Sequence, residues 1–305
     1  MARPPRLLVL GDLMLDVVVA PARALVRGTD VPGRVQLRQG GSAASTARWL
    51  ARLGARSTLV TAVGRDREGR ALVGALRRDG VRVRASRPPG VPTGRIGVLV
   101  DPDGERSFVA DRGAADRLRP AALRASWFGA LDGIHMPAYS LLGHPLGLAG
   151  RRAIALARAA GVPLSLDLSS VGPLMARGRR QASALIRGAA PDLLFATAAE
   201  AQALLGRGRP LEELLSFGPA AIVKRGPAGA LVLVDRRRFE VATGRIEASD
   251  TTGAGDAFDA GALVVWASAP AAHRTRPALL RRAALAGHRA ARRQLSAVRD
   301  QLVIR

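Results

Sequence analysis

The chain has 305 residues, no cysteine and a formal net charge of +23. This length suffices to bury a large core, and the absence of cysteine excludes disulfides and thiolate metal sites, so we expect a reducing, cytoplasmic location. Its first apolar run, Leu7–Leu10, ends at Gly11 and Asp12 and is far shorter than the ~18 residues of a membrane helix, which argues against a signal peptide, an anchor or a membrane partner.

Arginine carries nearly all of the positive charge, because Lys224 is the only lysine. A strongly basic chain raises the question of nucleic-acid binding, since clustered cations neutralise phosphates. Here the arginines are scattered through predicted helices, as at Arg77-Arg78 and Arg281-Arg282, and aromatic residues make up only 3% of the chain. We therefore predict no nucleic-acid partner and a milder consequence of the charge, which is attraction of an anionic nucleotide.

Short apolar runs alternate with segments of helical periodicity along the chain. The predicted strands are Arg6–Leu10, Thr58–Val63, Gly133–His135, Pro163–Asp167, Leu193–Ala196 and Ala221–Lys224. The predicted helices are Ala43–Leu53, Glu68–Asp79, Arg151–Ala160, Leu174–Arg187 and Ala198–Leu205. This alternation predicts an α/β fold in which a doubly wound, mostly parallel sheet has helices on both faces, within one domain over residues 1–305.

Two segments interrupt the alternation. Val17–Leu37 is strand-like but contains prolines, and Arg95–Ala110 has the pattern of a β-hairpin. The hairpin strands would be Ile96–Val100 and Ser107–Ala110, joined by the turn Asp101-Pro102-Asp103-Gly104. The sequence shows no repeat, low-complexity linker or clear second domain, so both segments are expected to be insertions in the same domain.

A diglycine opens the first predicted helix, where residues 40–54 read GGSAASTARWLARLG. Glycine lacks a β-carbon, so Gly40 and Gly41 would let the backbone approach a ligand closely. The simpler interpretation is a turn that leads into a helix.

Near the C-terminus, residues 250–261 read DTTGAGDAFDAG, followed by the apolar residues ALVVW. Gly253 and Gly255 allow close approach of the backbone to an anion, and the first turn of a helix offers unpaired N–H groups and the positive end of the helix dipole. Asp256 then needs an explanation, because a carboxylate beside a phosphate is unfavourable unless it has a role such as accepting a proton. The alternative is a carboxylate that only complements the helix dipole.

Together, the two segments resemble the N- and C-terminal signatures of the ribokinase-like family of carbohydrate and nucleoside kinases, also called the PfkB family. The similarity runs from about Leu7 to about Trp266. It implies a kinase that uses ATP and Mg²⁺ to phosphorylate a primary hydroxyl of a sugar or sugar-like small molecule. It also implies that two inserted segments, about residues 17–37 and 95–112, form a small β lid over the substrate.

The resemblance assigns roles to individual residues. Asp256 is the general base, and the turn of Gly253, Ala254 and Gly255 is the anion hole. The substrate-binding residues are Asp12, Asp16, Gly40, Gly41, Ser45 and Arg112. The cofactor-binding residues are Lys224, Gly226, Gly229, Thr251 and Thr252, and Glu200 organises water around magnesium. A monovalent cation is left open. From the residues alone, Asp12 could equally be a loop residue, Lys224 a strand-end cation and Glu200 a dipole partner.

Three positions depart from the family pattern. Ser45 replaces an asparagine that binds substrate hydroxyls, and Met14 replaces a polar ligand. Thr197 stands where the family has the asparagine of Asn-x-x-Glu. These changes alter the acceptor end and one residue on the metal side, while the phosphoryl-transfer end keeps its pattern. The sequence therefore indicates a kinase more firmly than it indicates any named sugar.

Several functions remain open at this stage. The first is a sugar kinase, and the second is a nucleoside kinase, because Ser45 and Met14 leave room for a base. The third is a catalytically silent ligand-binding protein of the same fold. The many arginines also suit an acceptor that already carries phosphate, although no local cluster singles it out. A homodimer is left open as well.

Overall fold

The computed structural model describes residues 3–101, 103, 105–244, 250–297 and 302. The strands are β1 Arg6–Leu10, β2 Met14–Pro21, β3 Gly33–Gly40, β4 Arg56–Ala62, β5 Arg82–Ser86, β6 Arg95–Val100, β7 Arg106–Asp111, β8 Gly133–Pro137, β9 Leu164–Asp167, β10 Leu193–Thr197, β11 Ala220–Lys224, β12 Ala230–Val234 and β13 Arg237–Val241. The helices are α1 Ser42–Arg52, α2 Arg67–Arg78, α3 Leu146–Ala159, α4 Val171–Met175, α5 Arg179–Ala189, α6 Ala198–Leu205, α7 Ala254–Ala267 and α8 Pro277–Ser296.

The larger sheet has nine strands in the order β13-β12-β11-β10-β9-β8-β1-β4-β5. The strands from β11 to β5 are parallel, while β12 and β13 extend the sheet in antiparallel pairing. The strand order reverses around β1, which pairs with β4 on one side and β8 on the other. In open α/β sheets ligands bind beyond the carboxyl ends of the strands near such a reversal, so this topology predicts where the site lies.

Two hydrophobic cores lie on the two faces of this sheet. In β1, Leu7 and Val9 point to one core while Leu8 and Leu10 point to the other, as the two-residue period of a strand requires. Helices α1, α2, α7 and α8 cover the first face, and α3 to α6 cover the second. Because both faces are buried, the central strands are apolar at nearly every position. The predicted fold class is confirmed.

A smaller sheet, which we call the lid, has the strand order β3-β2-β6-β7. Its central pair β2–β6 is parallel and the two outer pairs are antiparallel. The lid begins earlier than predicted, at Met14, because β2 follows almost directly after β1. Of the predicted turn at 101–104, Pro102 and Gly104 lie outside the described residues.

Other boundaries differ from the sequence-based predictions. The predicted helix Leu174–Arg187 is two helices, α4 and α5, because Gly178 adopts a φ of 85° and caps the start of the second. Strands β5, β12 and β13 were not predicted. Helix α8 was not predicted either, although it packs along α7. Among the described residues, no helix is long and apolar enough to cross a membrane.

Candidate active site

A cleft of about 1320 Å³ lies where the lid faces the carboxyl ends of the parallel strands. Five neighbouring parallel strands of the large sheet each place one polar residue at the floor of this cleft. These residues are Asp12 after β1, Tyr139 after β8, Asp167 in β9, Thr197 in β10 and Lys224 in β11. The cleft therefore occupies the position that the strand order predicts.

Asp256 joins the two signature segments inside this cleft. It lies in the first turn of α7, whose N-cap residue Gly253 has a left-handed φ of 73°. Its Oδ1 accepts a hydrogen bond of 2.6 Å from Oγ of Ser42, the first residue of α1. Ser42 was not singled out from the sequence, although it follows the diglycine directly. The contact places the start of α1 against the start of α7.

The environment of Asp256 makes it a weak acid. Burial raises the pKa of its carboxyl group to about 7, and the negative charges of Asp167 and Asp12 add to this effect. The Ser42 hydrogen bond and the positive charge of Lys224 act in the opposite direction. A carboxyl group with a pKa near neutrality is well matched to proton transfer under neutral conditions.

The turn before Asp256 is held from several sides. The N–H of Ala254 donates to the carbonyl oxygen of Thr251 at 3.2 Å, so this predicted anion-hole amide is engaged within the turn. The amides of Gly255 and Asp256 lie in the first helical turn, where no acceptor exists within the helix. Gln294 of α8 donates through Nε2 to the carbonyl oxygen of Thr252 at 3.0 Å. Nothing in the sequence pattern pointed to Gln294.

Lys224 is buried between two carboxylates beside the turn. Its Nζ donates to Oδ2 of Asp167 at 3.1 Å and to both oxygens of Asp259 at 3.0 and 3.1 Å. Burial opposes the charge of Lys224, but these carboxylates outweigh it and raise the lysine pKa. Burial and the charge of Asp167 raise the pKa of Asp259 well above its ordinary value. A β-carbon on Gly255 would lie 3.5 Å from Nζ, so the ammonium group is close to the turn.

Thr197 and Glu200 form a capping box at the start of α6. Thr197 Oγ1 accepts from the Glu200 N–H at 3.2 Å, and Glu200 Oε2 accepts from the Thr197 N–H at 2.7 Å. Thr197, which replaces the family asparagine, is thus an N-cap. Burial and the nearby Asp167 raise the pKa of the Glu200 carboxyl group.

The carboxylates of Glu200 and Asp167 are candidate ligands for the expected magnesium ion. In the described part of the chain, no group of three or more His, Asp or Glu residues could hold a metal on its own. Magnesium, however, usually binds through one or two carboxylates, with water and phosphate oxygens completing its shell. Glu200 and Asp167 fit this requirement, because a cation beside them would relieve their mutual repulsion.

At the start of α1, packing requires the two glycines. The Asp16 carboxylate in β2 lies against Gly40, and a β-carbon there would collide with its oxygens. Gly41 has a φ of 96°, and a β-carbon on it would lie 2.6 Å from the carbonyl oxygen of Asp12. The diglycine therefore brings Asp16 and the chain after β1 against the start of α1.

Asp12 organises its neighbours from a nearly inaccessible position. Its Oδ1 accepts from the Ala43 N–H at 3.1 Å, and its Oδ2 lies 3.5 Å from Nη1 of Arg112. Arg112 also donates from Nε to Asp116 at 2.6 Å and lies over the ring of Tyr139. Asp12 therefore connects α1 to the segment that leaves the lid.

Most of the predicted site residues meet in the cleft. The lining includes Asp12, Asp16, Gly40, Gly41, Ser45, Arg112, Glu200, Lys224, Thr252, Gly253, Gly255 and Asp256. The predicted residues outside the lining are Gly226, Gly229, Thr251 and Ala254. Gly226 and Gly229, with φ values of 56° and 85°, form the turn between β11 and β12.

The chain is similar in sequence to known carbohydrate kinases over most of its length. Residues 5–300 match the family described as "pfkB family carbohydrate kinase", so the similarity extends beyond Trp266 and includes α8. The chain is 30% identical over 263 residues to "Probable fructokinase-4" of Arabidopsis thaliana, covering 83% of this chain and 79% of that protein.

Solved structures resemble the whole fold. The crystal structure of adenosine kinase from Sinorhizobium meliloti superposes with a TM-score of 0.85 at 25% identity, covering 99% of this chain and 97% of that chain. Aminoimidazole riboside kinase from Salmonella enterica, complexed with aminoimidazole riboside and an ATP analog, has a TM-score of 0.76 at 22% identity, covering 96% and 94%. The chain therefore belongs to the pfkB family of carbohydrate kinases, enzymes that transfer a phosphoryl group to a hydroxyl group.

Proposed function

We propose that the chain transfers the γ-phosphoryl group of ATP to a primary hydroxyl of a sugar, with Asp256 as the general base. One observation carries this proposal. Asp256, Gly253 and Gly255 all line the same cleft at the start of α7, so a proton acceptor lies beside the residues of the expected anion site. Asp16 and the diglycine lie in the same cleft and supply contacts for the hydroxyl-bearing substrate.

The reaction balances as a direct transfer. Asp256 removes the proton of the acceptor hydroxyl while the hydroxyl oxygen forms a bond to the γ-phosphorus. The bond between that phosphorus and the bridging oxygen of ADP breaks, so that the electron pair leaves with ADP. The amides at Gly253 and Gly255 and the ammonium group of Lys224 stabilise negative charge on the transferred group. No phosphorylated enzyme intermediate is needed.

Magnesium would be held on the side of the cleft that contains Glu200 and Asp167, largely through water. When bound, it would supply positive charge that offsets the charge of the polyphosphate. The protein's own contribution there is the capping box, which fixes the Glu200 carboxylate by one hydrogen bond to Oε2. No monovalent-cation requirement is part of this proposal.

A nucleoside is the second candidate acceptor, and the lid favours it. Ile96, Val98 and Phe108 line the cleft from the lid and offer an apolar surface that suits a base better than a free sugar. The similarity to adenosine kinase, which extends over nearly the whole chain, agrees with this candidate. The fructokinase similarity favours a sugar.

An acceptor panel would test the proposal. The protein is incubated with ATP and Mg²⁺ and with fructose, ribose, adenosine or aminoimidazole riboside in turn, and ADP release is measured. The Asp256→Asn protein, prepared in parallel, corrects for contaminating kinases. Acceptor-dependent ADP release by the wild-type protein alone would support the proposal. ATP binding without release for any acceptor would instead support a silent ligand-binding protein.

A further inference from the structure

Asp250, the first residue of the C-terminal signature segment, is bound by two arginines of the lid. Arg38 Nη1 in β3 lies 2.9 Å from Asp250 Oδ2, and Arg106 Nη2 in β7 lies 2.7 Å from Asp250 Oδ1. The sequence reasoning gave Asp250 no role. Strands β3 and β7 are the two edges of the lid sheet, so both edges are fastened to one carboxylate.

The same residues also contact the turn that precedes α7. Arg106 Nη1 donates to Thr252 Oγ1 at 2.6 Å, and the Thr252 N–H donates to Asp250 Oδ1 at 3.1 Å. Thr252 is adjacent to Gly253, the N-cap residue of α7. A shift of the lid edges would therefore move Asp250 and Thr252, and with them the amides that follow.

These ion pairs are partly buried. The side chains of Arg106, Arg38 and Asp250 are 12%, 22% and 31% exposed. Ion pairs at a fully exposed surface contribute little to stability. Pairs that are partly shielded from water, and in which both carboxylate oxygens are bonded, keep a fixed geometry better. The arrangement thus differs from the scattered surface arginines elsewhere in the chain.

We propose that Arg38, Asp250 and Arg106 form a clamp that positions the anion-binding turn of α7 according to the position of the lid. The three residues are positioning residues, because they act through Thr252 and Gly253. A lid seated over an acceptor would hold the turn where the transferring phosphoryl group needs it. The expected effect on catalysis rests on the proposed kinase function. The link between the lid and the turn of α7 does not depend on that function.

A double-mutant cycle tests the catalytic consequence. Arg106→Gln and Asp250→Asn should each lower kcat by ~10-fold or more, because a displacement of about 1 Å in a reacting group can cost ~10²-fold. The double variant should be no worse than the worse single variant, since each change breaks the same link. Arg106→Lys, which keeps the charge, should recover part of the activity. Losses that multiply in the double variant, or an unchanged kcat in both single variants, would overturn the proposal.

Arg27→Gln is the control. Arg27 lies in the connection between the lid strands β2 and β3, is exposed, does not line the cleft, and makes no ion pair with any residue that the structure describes. This variant removes one lid charge without breaking the clamp and should keep the wild-type kcat. A loss in Arg27→Gln equal to that in Arg106→Gln would show that lid charge alone matters and would contradict the clamp.

Hydrogen exchange separates this inference from the proposed function. Without any substrate, amides in residues 252–256 should exchange faster in Arg106→Gln and Asp250→Asn than in the wild-type and Arg27→Gln proteins, whereas the core strand β10 should be unchanged. Equal exchange at residues 252–256 in all four proteins would refute the clamp. If the wild-type protein proves inactive with every acceptor while this exchange difference appears, the clamp stands and the kinase assignment falls.

Discussion

Ser42 donates a hydrogen bond of 2.6 Å to the carboxylate of Asp256, although 214 residues separate them in the chain. The diglycine that precedes Ser42 and the glycine turn that precedes Asp256 thus converge on one carboxyl group. The hydrogen bond favours the ionised form, whereas burial favours the protonated form. The balance leaves the pKa of Asp256 at about 7, so the carboxyl group can gain or lose a proton near neutral pH.

Asp256→Asn should lower kcat by at least ~10²-fold, because the amide cannot accept the hydroxyl proton. The affinity for ATP should change little, and calorimetric titration can measure it. A variant that retained wild-type turnover would exclude Asp256 as the base.

The same substitution should not destabilise the protein. The folded state holds the Asp256 proton more tightly than the unfolded chain, so this group makes stability fall as pH rises from 3.8 to about 7. Asp256→Asn removes that effect, and urea unfolding at pH 8 should show equal or greater stability than for the wild-type protein. A large loss of stability would mean that inactivity reflects misfolding.

Ser42→Ala should shift the pH profile toward higher pH. In the proposed mechanism the ionised carboxylate of Asp256 is the active form, so kcat/KM should rise through the pKa of Asp256 and then level off. Loss of the Ser42 hydrogen bond raises that pKa, and the rising limb therefore moves to higher pH. The rates of the two proteins should converge well above the shifted pKa, which gives an internal control. A profile that is lowered uniformly, with no shift, would contradict this account.

The sequence predicted the fold well where hydrophobic period and glycine motifs agreed. Strand β1 was predicted over the same residues that the structure shows, because a buried parallel strand is continuously apolar. Helix α8 was missed because no recognisable motif falls in that segment, although its alanines, leucines and arginines are good helix formers. Strand β13 was missed because it is an edge strand whose first two residues, Arg237 and Arg238, are both exposed, so it lacks the alternation of a half-buried strand.

The sequence predicted the residues expected to carry the chemistry of the site, but not the residues that hold them in place. Asp256 and the glycines carry a recognisable local pattern. Asp259 reads as one more residue of a helix, and its ion pair with Lys224 depends on strand β11 and helix α7 meeting in three dimensions. Local sequence holds no signal for such a pair.

Lys224→Met should destabilise the protein by about 3–5 kcal/mol, because two buried carboxylates lose their partner. Adding Asp259→Asn should recover part of this loss. In Lys224→Met, burial would hold the proton of Asp259 more tightly than the unfolded chain does, so the deficit should be larger at pH 9 than at pH 5. Urea unfolding at both pH values measures these differences. A deficit that does not depend on pH would argue against unpaired carboxylates as its cause.

Thr197→Ala should lower the free energy of unfolding by about 1 kcal/mol, because it removes the N-cap of α6. Thr197→Asn should cost close to nothing, since asparagine is an equally good N-cap. Denaturant titration of the three proteins tests this difference. Equal losses for alanine and asparagine would mean that the threonine methyl group, and not the cap, stabilises the helix start.

Gly40→Ala should weaken acceptor binding selectively. The added β-carbon would collide with the Asp16 carboxylate, so Asp16 must move away from the acceptor. We expect kcat/KM for the acceptor to fall by ~10-fold or more, while the KM for ATP stays the same. Gly97→Ala is the matched control, because Gly97 is also in a lid strand and its β-carbon would have no neighbour closer than 3.8 Å. If both alanine variants lowered kcat/KM equally, the effect would come from the lid strands in general, and Asp16 would lose its assignment as an acceptor ligand.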